Sequence, residues 1–138
     1  MDSDKIIQLS IRLMELTSSG KIVWNLMGKN SLDDDARFNS IPLWRAPYTD
    51  FTHGDLFVYR SVVEDKIFRL GGIVQRNGKY GIAKLQLWNA DETILEYEFP
   101  DSFTFVDLFQ LVHGFAVTEA DWFVDRFLEK SELLETAG

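Results

Sequence analysis

The tetrapeptide Arg76-Asn77-Gly78-Lys79 joins two β-forming runs, Lys66–Gln75 and residues 80–88, and its reading decides the fold. Asn and Gly both tolerate the positive φ that a two-residue type I′ turn demands, so the spacing predicts an antiparallel hairpin. Working back toward the N-terminus, residues 56–63 form another β-rich run, and Glu64-Asp65 is the turn that separates it from the next. Gly71-Gly72 inside the second run reads as a bulge or a tight bend rather than a ligand's close approach. Toward the C-terminus, Asn89 to Glu92 turns the chain and residues 93–99 alternate Leu95, Tyr97 and Phe99 against Ile94, Glu96 and Glu98. Pro100 ends the sheet.

Helical patterns flank this meander on both sides. In residues 4–18, Ile6, Leu9, Leu13 and Leu16 recur at helical spacing, and Ile7, Ile11 and Met14 widen the stripe. Gly20 offers a left-handed C-terminal cap, and Ile22, Trp24 and Leu26 then alternate as a first strand. Residues 28–37 read as a polar connection, and Phe38 to Trp44 as an interrupted strand that Pro42 keeps at an edge. After the sheet, Asp101 or Ser102 caps a helix to about His113 whose apolar face is Phe105, Leu108, Phe109 and Val112. Thr118, with Asp121 three residues on, predicts the N-terminus of a second closing helix. The expected fold is therefore α+β over a single domain, 1–138: an N-terminal helix, an antiparallel meander of five or six strands, and two C-terminal helices packed on one face.

The junction Leu13-Met14-Glu15-Leu16-Thr17-Ser18-Ser19-Gly20-Lys21-Ile22-Val23-Trp24 resembles the opening of a loose group of short, functionally uncharacterised bacterial proteins. These begin with a helix, then Thr-x-x-Gly-Lys-(Ile/Leu)-x-Trp, then a meander. Leu85-Gln86-Leu87, Asp91, Ile94, Asp107-Leu108-Phe109 and Leu111-Val112 are similar to their last hairpin and the helix after it. The resemblance covers about half of the chain and implies the same element order. It brings no activity and no site residues, and residues 28–66 depart from it by being longer.

Charge carries most of what the sequence implies about partners. The net charge of -8 is unevenly divided, because residues 91–138 hold twelve Asp and Glu against only Arg126 and Lys130. Such a field attracts a basic partner and repels nucleic acid and anionic membrane. With no cysteine, disulfides and thiol chemistry are excluded, and the acidic start, without an apolar leader, leads to the expectation of a cytoplasmic protein.

Catalytic and metal signatures are weak throughout. His53 and His113 are the only imidazoles; the first reads as a solvated turn residue beside Asp50 and Asp55, the second as a cation at a helix's negative end. Asp33-Asp34-Asp35 lacks the glycine and the distal Glu of a calcium loop. Glu96 and Glu98 share a strand face, but carboxylates opposite Lys84 or Lys79 explain them without catalysis. Arg60, Arg69, Arg76, Lys79, Tyr80 and Lys84 lack the fixed motif of an RNA-binding sheet. No catalytic residue, metal or cofactor is therefore expected.

The last helix is the most informative segment for function. At about 100° per residue, Ala120, Phe123, Val124, Phe127, Leu128 and Leu134 form the expected core face. Asp121, Asp125, Glu129 and Glu132 form a separate acidic stripe, and Trp122 falls beyond it. The pattern predicts a non-enzymatic protein-interaction module of the immunity, antitoxin or inhibitor kind, with Trp122 as anchor and the four carboxylates steering a basic protein. The alternative is a small-molecule-binding or hydrolytic domain with Arg45, His53, Tyr59 and Arg60 in a pocket between sheet and helices. A homodimer through an exposed aromatic stripe is a third expectation.

Overall fold

The computed structural model describes residues 1–31 and 54–137. Helix α1 (Ser3–Ser18) is followed by five strands, β1 (Asn25–Ser31), β2 (Gly54–Val63), β3 (Lys66–Gln75), β4 (Tyr80–Asn89) and β5 (Leu95–Glu98), and by helix α2 (Thr104–Ala137). The strands form one antiparallel meander in sequence order, as consecutive hairpins require. The α+β architecture matches the expectation. Among the described residues there are two helices, not three, because α2 is one continuous helix of 34 residues.

Local chemistry explains each boundary. Asp2 caps α1 by accepting from the Lys5 amide at 2.8 Å, and Gly20 ends it at φ 74. There the Lys21 amide donates to the Leu16 carbonyl and the Gly20 amide to Thr17, the two bonds of a Schellman cap. The predicted first strand begins later than its alternation suggested. Trp24 precedes β1 and donates its indole N–H to the Thr17 hydroxyl at 2.9 Å, so it is pinned to the helix end. The pairing of β1 instead runs into residues read as connection. The strand proposed at Phe38 to Trp44 lies outside the described residues.

The Asn77-Gly78 hairpin forms, but with a three-residue turn. Gly78 alone is left-handed, at φ 84, while Asn77 keeps a negative φ and accepts the Lys79 amide on its side chain. The Gly78 amide donates to the Gln75 carbonyl and the Gln75 amide to that of Lys79, closing a type I turn with a bulge. Drawing Arg76 into the turn spares Asn77 the strained conformation.

Cross-strand pairing sorts the sheet's two faces. Tyr59, Leu70 and Leu85 pair in one row, facing the helices, with Phe57, Gly72 and Ala83 in the next. Ile6 and Leu13 of α1 and Phe105, Leu108, Phe109 and Val112 of α2 complete this core. Gly72 sits under Phe109, whose ring occupies the space a Cβ would take, and the register slips between Gly72 and Val74. The glycine pair thus marks a bulge beneath a helix. The opposite face carries Arg60, Arg69 and Trp88, with the Arg69 guanidinium 3.9 Å over the Trp88 ring.

Candidate protein-interaction surface

Helix α2 is anchored by its first half alone. Thr104 is buried and hydrogen-bonds Ser10 of α1 at 2.9 Å, and Phe105, Leu108, Phe109 and Val112 are the last fully buried residues along it. From residue 117 to 130 every position is exposed. At 1.5 Å per residue the stretch beyond Trp122 extends about 20 Å past the body. This corrects the expected core face: Phe123 is 60% exposed and Phe127 57%, with Val124 and Leu128 equally open. Their helical phase is right for a core, but the sheet ends before they reach it.

Thr118 does not cap a second helix. Its hydroxyl donates to the Gly114 carbonyl at 2.9 Å, a bond made within an uninterrupted helix. His113 is consequently mid-helix rather than at a negative pole. Its Nδ1 shares a 2.8 Å hydrogen bond with the Tyr59 hydroxyl, and its ring stacks on Phe109 at 5.6 Å and meets Phe57 at 4.5 Å. Burial, with the charge of Lys29 adding to it, pushes the imidazole below its usual pKa, so it is held neutral. Burial and the neighbouring Tyr80 push the Tyr59 phenol up to about 12.

The acidic field narrows to α2 once the ion pairs are in view. Glu92 is gripped by Arg60 and Arg69; burial would raise its pKa, but the two guanidiniums outweigh this and hold it low. Glu96 pairs with Lys66 at 2.7 Å, and Lys84 pairs with Asp101, not with Glu96 or Glu98. The front half's cations therefore neutralise Glu92, Glu96 and Asp101 around β5. Asp121, Asp125 and Glu129 have no ion-pair partner among the described residues. They stand with Glu132 on one exposed stripe of α2.

Trp122 borders that stripe and is 64% exposed. Its inner edge lines a groove of about 520 Å³ between α2 and the turn after α1, shared with Thr17, Ile22, Val23, Trp24 and Phe115. Two tryptophans that lie 98 positions apart in the sequence thus meet at one surface. The groove was legible only in fragments, as a Trp that breaks a polar face and a Trp after a helix cap.

The other candidates are dispersed. Tyr59 and Arg60, adjacent on β2, point to opposite faces, so a pocket between sheet and helices receives Tyr59 and not Arg60. Arg45, His53 and Asp33-Asp34-Asp35 lie outside the described residues. No cluster of three or more His, Cys, Asp or Glu able to hold a metal occurs among the described residues. Nor is any described helix long and apolar enough to cross a membrane. Comparison of the chain with protein-family models, curated proteins and solved structures finds no match.

Proposed function

We propose that this chain is a non-enzymatic protein-interaction module that docks a basic protein on α2, in the manner of an inhibitor or immunity protein. The observation that carries this reading is the unneutralised stripe of Asp121, Asp125 and Glu129 beside the exposed indole of Trp122. Carboxylates with no internal partner are free to pair with Lys and Arg across an interface, and they accelerate encounter through their summed field. A half-exposed tryptophan beside an apolar groove supplies the kind of anchor around which binding energy concentrates.

The test is capture from the native cell by wild-type protein and by two variants, Asp125→Lys with Glu129→Lys, and Trp122→Ala. The expected result is a protein of high isoelectric point that elutes as salt is raised and is lost from both variants. A captured protein of acidic character, or one held equally by the charge-reversed variant, would remove the basis of the proposal.

A further inference from the structure

The acidic stripe leaves the opposite side of the projecting helix unexplained. There Ala116, Ala120, Phe123, Val124 and Phe127 continue the core face of α2 beyond the sheet, at the alternating four- and three-residue spacing of a helix-packing seam. The Phe123 and Phe127 rings stack at 6.4 Å and present one flat apolar surface. Helices in proteins are stabilised chiefly by burying such a face, and contiguous apolar patches of this kind mark association sites.

We propose that this stripe is the interface of an antiparallel homodimer, in which the projecting half of α2 packs against the same half of a second copy. Two observations select a second copy over other occupants. The first is area: the exposed parts of Phe123, Phe127, Val117, Val124 and Leu128 amount to at most about 500 Å² per copy, about 1,000 Å² for the pair, the lower limit for a specific interface. The small Ala116 and Ala120 let the backbones come close at the seam's edge.

The second observation is charge. Arg126 and Lys130, the only cations in residues 91–138, both lie on one flank of the stripe, in line with Glu119. Reversing the direction of the second helix brings this flank against itself and sets Arg126 opposite Glu119 of the other copy, twice by symmetry, whereas a parallel pairing sets these charges against the apolar flank of Val117, Val124 and Leu128. The acidic stripe and Trp122 point away from this seam, so like charges are kept apart and the surface proposed for the basic partner stays open. Apart from Glu119, which also lines the groove beside Trp122, the dimer stands on different residues from that reading and can fail without it.

The experiment is sedimentation of the purified chain at about 100 µM, a concentration that populates a complex of micromolar affinity. The expected mass is twice the 15.9 kDa of one chain. Phe123→Glu with Phe127→Glu should give a folded monomer, since both rings are exposed in a single copy, with circular dichroism reporting the fold. Glu119→Arg should weaken the dimer at least tenfold, and Glu119→Arg with Arg126→Glu should restore it. Asp125→Lys with Glu129→Lys should leave the dimer intact. A wild-type monomer at this concentration would overturn the proposal. A dimer that survives the double Phe substitution, or a charge swap that fails to restore association, would overturn it equally.

Discussion

Single residues carry the tightest constraints in this molecule, and two of them invite direct tests. Gly72 lies where the Phe109 ring presses on the sheet. Gly72→Ala should therefore destabilise by about 1–3 kcal/mol in urea unfolding, and less in a Phe109→Leu background where the ring no longer fills the space. His113 is held neutral among Phe57, Tyr59, Tyr80 and Phe109, with Lys29 nearby. Its folded pKa lies below the unfolded imidazole's, so its contribution is complete above about pH 6.5 and declines as pH falls toward the folded value. Thermal unfolding from pH 8 to pH 5 should show that decline, and His113→Phe should make it smaller. Sequence reading named the right residue and the wrong role. Nothing in the run His113-Gly114-Phe115 distinguishes a helix end from a continuing helix, and the Tyr59 partner is 54 positions away.

At the level of elements, hairpins and caps were readable because their chemistry is local. Asn77-Gly78, Gly20 and the apolar spacing of α1 each act within a few residues, so their elements appear nearly where expected. The single long α2 was not readable, because Gly114 and Thr118 resemble the stop and start signals of two helices. Gly114 has helical neighbours on both sides, and an added Cβ there meets nothing within 4 Å. Gly114→Ala should consequently stabilise the protein by up to about 1 kcal/mol in chemical denaturation, through helix propensity alone. A break at this point with Gly114 left-handed would instead make the same substitution destabilising.

Across the whole molecule, the decisive feature is a mismatch of length: a helix of 34 residues lies against a sheet that uses only its first part. Ion pairing then concentrates the free acidic charge on the projecting part, since Arg60, Arg69, Lys66 and Lys84 consume Glu92, Glu96 and Asp101. Binding to a basic partner should therefore fall steeply with ionic strength, as measured by titration calorimetry at low and physiological salt, because the steering charges are exposed and screened. Glu92→Gln, on the neutralised side of the sheet, should leave that salt dependence unchanged. The α+β class, the antiparallel hairpins, the N-terminal helix and its cap, and the excess of anions in the last third were set by residue order, because propensity, turn chemistry and charge act over short spans of chain. Which apolar stripe lies inside was decided only by tertiary structure. Periodicity gives the phase of a helix face, while its burial depends on how far the sheet beneath it extends, and that length is fixed by the pairing of distant strands.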